Sequence, residues 1–380
     1  MNKFADPFVL AFLVIALAWL RRIYITIRAL HLVPVVRPSR DAKPCSSYPL
    51  ISVVVPAKNE ETNIHDCIAS FLQQDYPNIE IIIANDNSVD GTEAIIRSFG
   101  DRVTCFNVPP TPEGWSGKNY AIHTALAKAS GEWFLFSDAD TRHEPESVSS
   151  AFRHAVHHDL GFLTLTPRCL AESLAEKMIQ PTAMGYMGLW FPLDRVNAPG
   201  SPLVFGNGQF LFIKRSAYEK IGGHAAVSGE MHEDFALMRN AKLSGVTAQC
   251  ALGVPVYGTR MYDSFQSIWC GWRRIFLLSF RKEQFSVFVK AVSVFVFSFM
   301  PFLLYGVVLF QNVGNQDARF TLAVGTTVLV LIMSICLAIC VILKVKKRYV
   351  VYHPVAALVL SFIMLDVLWM SATNKKISWR

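Results

Sequence analysis

Leu50-Ile51-Ser52-Val53-Val54-Val55-Pro56-Ala57-Lys58-Asn59-Glu60 is a β-branched apolar run that stops at a proline and opens into polar residues. A run this short, closed by a turn signal, reads as a strand buried on both faces. The chain then repeats the theme. Helical spacing over Asn63 to Gln74 precedes a strand at Ile79 to Ala84, and a helix at Thr92 to Ser98 precedes a strand at Val103 to Val108. A helix at Lys118 to Ala129, a strand at Trp133 to Ser137, a helix at Glu146 to His157 and a strand at Gly161 to Thr166 complete the series. This order predicts an α/β fold with a mostly parallel, helix-covered sheet. Ligands of such sheets bind beyond the carboxyl ends of the strands. Asn59, Glu60, Asp86, Asp138 and Asp140 all fall directly after predicted strands and are expected on one rim.

Outside this block the composition changes. With 380 residues, 52% of them hydrophobic and only 17% charged, the chain is too apolar to be soluble throughout. Phe285 to Phe310, Phe320 to Leu343 and Tyr349 to Ala372 each supply the roughly 20 apolar residues that a bilayer-spanning helix needs. At the other end, Phe4 to Leu20, closed by Arg21 and Arg22, suits an uncleaved anchor with a positive cytosolic flank. The expected organisation is an anchor over 1–32, a proline-containing linker over 33–49, an α/β domain over 50–262, an amphipathic segment over 263–284 and transmembrane helices over 285–380. The net charge of +7 gathers beside the apolar segments, at Arg21, Arg22, Arg28, Arg273, Arg274 and Lys344 to Arg348, which indicates a membrane surface and not nucleic acid. With the α/β domain in the cytosol, the Asn312 to Asp317 loop falls outside and Lys344 to Arg348 inside. The tail with Lys375, Lys376 and Arg380 then runs against the positive-inside tendency.

Ser137-Asp138-Ala139-Asp140 sets two carboxylates one residue apart at a strand end. Mg2+ and Mn2+ take such oxygen ligands and bridge to substrate phosphates. Asp86 follows its strand directly and can accept from a base N–H or a ribose hydroxyl, whereas Asp90, with Glu93 three residues on, fits a helix cap. Gly114-Trp115-Ser116-Gly117-Lys118-Asn119 opens a helix where backbone N–H groups and Lys118 can meet phosphate; equally, it can be a plain cap. It lacks the spacing of an ATPase P-loop. Gly222-Gly223-His224 and Glu230-Met231-His232-Glu233-Asp234 precede an amphipathic helix reaching Lys242. The helix dipole accounts for one acid there, while a second is placed to deprotonate a hydroxyl. The eight cysteines form no C-x-x-C pair, so neither a disulfide framework nor a zinc site is indicated.

Asp263 to Gln284 aligns Phe265, Ile268, Trp269, Trp272, Ile275, Phe276 and Phe280 on one helical face, with Arg273, Arg274, Arg281 and Lys282 toward the other. That pattern describes a helix lying on anionic headgroups. The competing reading is a helix docked on protein.

With these residues in hand, the chain resembles glycosyltransferase family 2, the GT-A fold, from Ile51 to Phe276. The resemblance rests on V-V-V-P-A-K-N-E at Val53 to Glu60, N-D-N-S-V-D-G-T at Asn85 to Thr92, the D-x-D of Asp138 and Asp140, and E-D-F-A-L at Glu233 to Leu237. G-K-N-x-A from Gly117, F-G-N-G from Phe205, Gly222-Gly223-His224, Arg260-Met261-Tyr262 and Gly271-Trp272 look like the subgroup acting on membrane lipids, such as the hopanoid-associated and carotenoid-acid enzymes. The resemblance implies that Pro56, Ala57, Glu60, Asp86, Lys118 and Asp138 hold the donor nucleotide. It further implies that Asp140 and Asp138 hold Mg2+ or Mn2+, that Asp234 with Glu233 performs catalysis, and that Gly223, His224 and Trp272 lie on the acceptor side. Asn85 stands where the family often has an aspartate, and the Q-x-x-R-W of processive synthases is missing after Gln266.

The expected activity is therefore inverting transfer of a sugar from a nucleotide-sugar donor to a lipid or lipid-linked hydroxyl or carboxyl acceptor at the cytoplasmic membrane. The rivals are a processive polysaccharide synthase and a catalytically silent scaffold. A transporter would need more spans, and Asp366 is the single acid in the C-terminal apolar segments.

Overall fold

A computed structural model describes residues 6–38, 47–280, 283–311 and 318–373. Arg281, Lys282, the Asn312 to Asp317 loop, Lys375, Lys376, Arg380 and the 39–46 part of the expected linker lie outside the described residues. The chain forms two compact units. One comprises Leu32–Leu170 and Leu193–Arg260; the other comprises the chain up to His31, Ala171–Pro192 and the chain from Met261 onward. The segment Ala171–Pro192, inside the range expected for the α/β domain, thus groups with the apolar helices.

In the first unit, strands β1 (Ile51–Ala57), β2 (Ile79–Asn85), β3 (Thr104–Asn107) and β4 (Trp133–Phe136) are followed by β5 (Thr141–His143), β6 (Phe162–Thr166) and β7 (Arg168–Cys169). β8 (Leu211–Lys214), β9 (Ala248–Leu252) and β10 (Tyr257–Thr259) complete the set. Seven strands form one sheet in the order β3-β2-β1-β4-β8-β6-β9, and β5-β10-β7 form a second. The large sheet is parallel except for β8, which runs antiparallel to β4 and β6. The expected mostly parallel, helix-covered sheet is present.

Alternation explains its two-sided burial. Val53, Val55, Ile81, Ile83 and Leu135 pack on one face against Ile64, Ile68 and Phe71 of helix Ile64–Leu72 and Phe152 of helix Ser147–His157. Val54, Ile82, Phe134 and Phe136 pack on the other face against Ile122 of helix Gly117–Ala125 and Leu237 of helix Glu233–Leu243. Each such side chain contributes roughly 1.5–3 kcal/mol by leaving water.

β1 lies between β2 and β4, where the order of the strands reverses, the place at which doubly wound sheets bind ligands. The β1–β4 ladder stops early. Its register ends at Val54 and Phe136, with Ser137 N–H donating to the Val54 carbonyl, whereas β1 stays paired with β2 as far as Ala57. Two residues after the last rung, on the side facing β4, comes Pro56, which has no N–H to offer.

Four helices are long and apolar enough to cross a membrane among the described residues: Pro7–Leu32, Gln284–Gln311, Arg319–Ile342 and Lys347–Ala372. The first extends well past Arg21 and Arg22, where the apolar run ends, because arginine interrupts hydrophobicity without opposing helix. The start of the expected linker is also structured: Val36 N–H donates to Leu252 and Leu252 N–H to Pro34, each at 2.9 Å, binding it to β9. Helix Phe265–Ser279 buries Ile268, Gly271, Trp272 and Phe276. Arg273 and Trp269 both donate to Asp366 Oδ2, at 2.9 and 2.8 Å. Packing thus buries part of that apolar face within this unit, and Arg273, one of the four cations opposite it, is paired there.

Candidate active site

Carboxylates of four chain segments converge at the carboxyl ends of β1, β2 and β4. The β1 and β2 loops are laced together. Asp86 N–H donates to the Ala57 carbonyl at 2.8 Å, Glu60 N–H to Thr92 Oγ1 at 2.8 Å and Val89 N–H to Asn59 Oδ1 at 2.9 Å. Asn59 adopts φ 55° to make this turn. Asp86 is buried and pairs with Lys58 at 3.0 Å. A Cβ on Gly117 would stand 3.2 Å from Asp86 Oδ2, so the glycine loop meets this carboxylate closely. Asn85 lies at the core edge, donating to Asn107 Oδ1 at 3.0 Å. Asp90 accepts from Thr92 N–H and hydroxyl, but Gly91 is the helix cap and Glu93 pairs with Arg97 instead of closing a capping box.

Asp138 and Asp140 follow β4 on a loop fixed from beneath. Ser137 Oγ donates to the Gln209 carbonyl at 2.9 Å and Thr141 Oγ1 to the Asp138 carbonyl at 2.8 Å, while His143 Nε2 shares a hydrogen bond with Thr141 Oγ1 at 3.0 Å. Burial, which pushes the His143 pKa down to about 3, keeps that ring neutral. Thr141 and His143 were not singled out in the sequence, where their only signal is closeness to the acidic pair.

Lys118 joins two halves of the rim. Its Nζ lies 2.7 Å from Asp138 Oδ1 and 2.7 Å from Glu233 Oε1, so those oxygens can be no farther apart than twice that distance. Burial works against its charge, but Asp138 and Glu233 more than offset this and raise its pKa. The capping reading also holds, since Ser116 accepts from Asn119 N–H.

Beside Glu233, Asp234 accepts from Gly208 N–H at 2.9 Å and Phe235 N–H at 2.8 Å. Burial and then the charge of Glu233 push its pKa up to about 7, against Lys118 and both N–H bonds. The F-G-N-G segment reaches this point because β8 starts opposite the end of β4, Leu211 pairing with Phe136. Its glycines are dictated by proximity: a Cβ on Gly206 would collide with the Asp234 carbonyl oxygen, and one on Gly208 would stand 2.9 Å from Lys118 Nζ.

Asp140 fits a hard divalent cation. Its Oδ1 is buried without a hydrogen-bond partner, and burial followed by the charges of Asp138 and Glu60 raises its pKa to about 8, a carboxyl that a cation would stabilise. Among the described residues no three His, Cys, Asp or Glu side chains gather as a closed metal cage. Asp138 and Asp140 therefore suit a cation that completes its shell with water and phosphate oxygens.

The remaining expected site residues divide. Pro56 and Ala57 end β1 at the crevice. Gly223 and His224 are buried: His224 Nδ1 shares a 2.8 Å hydrogen bond with Tyr218, and a Cβ on Gly223 would stand 2.5 Å from the Tyr218 ring. With His224 0% exposed, these residues support the rim and offer an acceptor no surface. Burial lowers the His224 pKa to about 3. Trp272 belongs to the helical unit, buried with its indole N–H 2.6 Å from Gln180 Oε1.

Residues 52–222 match the sequence model of glycosyl transferase family 2. Over these residues the chain is similar to glycosyl transferase family 2. Two 4,4'-diaponeurosporenoate glycosyltransferases of Staphylococcus aureus are similar to it: that of strain MRSA252 is 26% identical over 232 residues, and that of strain USA300 is 27% identical over 231. Each match covers 59% of this chain and spans 60% of the length of the relative. A mannosyltransferase from Pyrobaculum calidifontis, solved in complex with GDP-Man and Mn2+, shares the fold with a TM-score of 0.52. At 18% identity it covers 97% of this chain and 100% of its own, so the expected GT-A-like fold is present.

Proposed function

We propose that this protein is a membrane-bound, inverting glycosyltransferase that moves a sugar from a nucleotide-sugar donor to a hydroxyl or carboxyl group of a lipid or lipid-linked acceptor. Its α/β domain faces the cytosol at the cytoplasmic membrane. The observation that carries this reading is the bridge of Lys118 between Asp138 and Glu233, with Asp234 adjacent. One cation thereby ties the D-x-D loop to an acid pair far away in sequence. The 4,4'-diaponeurosporenoate relatives and the four apolar helices support a membrane-borne acceptor.

In this mechanism Asp86 and the end of β1, with Ala57 and Glu60, orient the nucleoside in the crevice beside Pro56. Lys118 places positive charge where the diphosphate departs. Asp234, held near neutrality by burial beside Glu233, takes the proton of the acceptor O–H. The acceptor oxygen bonds to the anomeric carbon as the bond to the phosphate oxygen breaks, and the nucleoside diphosphate leaves with the electron pair. A Mg2+ or Mn2+ ion held by Asp138 and Asp140 would supply Lewis-acid stabilisation of that leaving group. The buried loop network under Asp138 keeps these groups prearranged, so little reorganisation accompanies reaction.

The test is direct. Purified protein in detergent is given UDP- and GDP-sugars, Mn2+ and a total membrane-lipid extract; nucleoside diphosphate release is measured and the lipids are analysed by mass spectrometry. A lipid adduct heavier by one sugar residue is expected. A ladder of sugars would replace this reading with processive synthesis, and no release with any donor would reject it.

A further inference from the structure

The helical unit contains a cleft of about 590 Å³, its open mouth included. Pro181, Gly185 and Leu189 of helix Leu174–Trp190 and Ile335 and Ile339 of helix Arg319–Ile342 give it apolar walls. Pro181 has no N–H, so the helix loses a rung there. Gly185 keeps the two helices close: a Cβ on it would stand 2.9 Å from Ile339 Cδ1.

Arg22 of helix Pro7–Leu32 also lines the cleft and is only 8% exposed. Its Nη1 donates to Tyr186 Oη at 3.1 Å and Ser298 Oγ at 3.4 Å, and its Nη2 to Ser293 Oγ at 3.0 Å and the Ser293 carbonyl at 3.4 Å. Its Cζ stands 4.9 Å from the Trp19 ring and 5.4 Å from the Tyr186 ring. All these partners are neutral, and among the described residues no carboxylate forms an ion pair with it. A buried cation lacking a counter-charge is costly, and an ionisable residue inside a bundle of spanning helices signals a ligand.

A second observation points the same way. His353, 5% exposed, lines the cleft; its Nδ1 shares a 3.3 Å hydrogen bond with Thr182, and its buried Nε2 has no hydrogen-bond partner. Lys177, the other cation of the lining, lies over the Tyr349 ring at 5.6 Å. The cleft thus combines apolar walls, an uncompensated positive charge and an unused hydrogen-bonding nitrogen.

We propose that this cleft binds a membrane amphiphile with a negatively charged head, carboxylate or phosphate, whose counter-charge is Arg22 and whose tail lies against the Pro181, Leu189 and Ile335 walls. The hydroxyls of Tyr186, Ser293 and Ser298 hold the guanidinium in place before the anion arrives. This site makes no use of the transferase chemistry, so it stands or falls separately from that reading.

The experiment uses the full chain in an uncharged detergent. Oleate, lysophosphatidate and oleyl alcohol are titrated while intrinsic tryptophan fluorescence, to which Trp19 contributes, and native mass spectra are followed. Saturable binding of one molecule per chain is expected, at least tenfold tighter for an anionic probe than for the alcohol; a preference between oleate and lysophosphatidate identifies the head as carboxylate or phosphate. Arg22→Gln should remove that tenfold preference. Leu189→Trp, which leaves the charge in place and adds bulk at the cleft wall, should weaken all three probes. A diazirine-bearing palmitate should label residues 177–189 and 335–340 in the wild-type protein. Equal binding of alcohol and anions, absence of saturable binding, or labelling spread evenly over all apolar helices would each overturn the proposal, whether or not the variants fold.

Discussion

The backbone N–H of Gly208 donates to Asp234 Oδ2 over 2.9 Å, so a loop glycine orients the carboxylate proposed as base. A methyl group there would meet Lys118 Nζ at 2.9 Å and Glu233 Oε1 at 3.1 Å. Gly208→Ala should therefore push the lysine out of its bridge. Turnover is expected to fall at least ~10-fold, with a stability loss of about 1–3 kcal/mol from overpacking. Nucleoside diphosphate release and urea unfolding measure the two effects; unchanged turnover would show that the bridge plays no part in transfer.

Asp234 must be ionised to accept a proton. With its pKa raised to about 7, transfer should climb as pH increases toward neutrality and level off above it. Asp234→Asn should reduce turnover by ~10²–10⁴-fold and abolish that acidic limb. A pH–rate profile of kcat/KM checks this, and the same limb surviving in the variant would assign the base elsewhere.

Asp140 links stability to pH and to metal. Its folded pKa, about 8, lies above its unfolded value, so the stabilising effect is complete below the ordinary carboxylate range. It is lost as pH rises through about 8. In a chelator the melting temperature should thus fall between about pH 5 and pH 8.5, and Mn2+ should restore it most at the alkaline end. Asp140→Asn should flatten both responses. A melting temperature that ignores Mn2+ at every pH would remove this carboxylate from metal binding.

Lys118 is the cation common to Asp138 and Glu233. Lys118→Met leaves the buried Glu233 uncompensated and should cost about 3 kcal/mol, the low end for a broken buried pair because Asp138 retains contact with water. Donor affinity should fall alongside stability. Equilibrium binding of the nucleotide-sugar, together with a denaturant titration, separates the two. A variant with normal affinity would confine Lys118 to a structural role.

Local signals made the sheet legible. Ile51 to Val55, Ile79 to Ala84 and Trp133 to Phe136 are unbroken apolar runs because β1, β2 and β4 are covered on both faces. The acids after them stand out for the same reason. Helix Leu174–Trp190 is harder to read, since Pro181 interrupts its pattern, although Ser173 and Glu176 form a capping box at its start. The roles of Gly206 and Gly208 depend on what approaches them in space, and the partnership of Lys118 with Glu233 joins segments that no spacing rule connects. Gly223 and His224 look functional as a motif because tight packing on Tyr218 tolerates little else.

Sheets grow by annealing, and two neighbouring strands with matching edges tend to zip until something stops them. Beyond Val54 the residue turned toward β4 is Pro56, which cannot donate the next rung. The imino acid thus withholds one of the bonds that would carry the β1–β4 pairing onward, at the place where the two strands part.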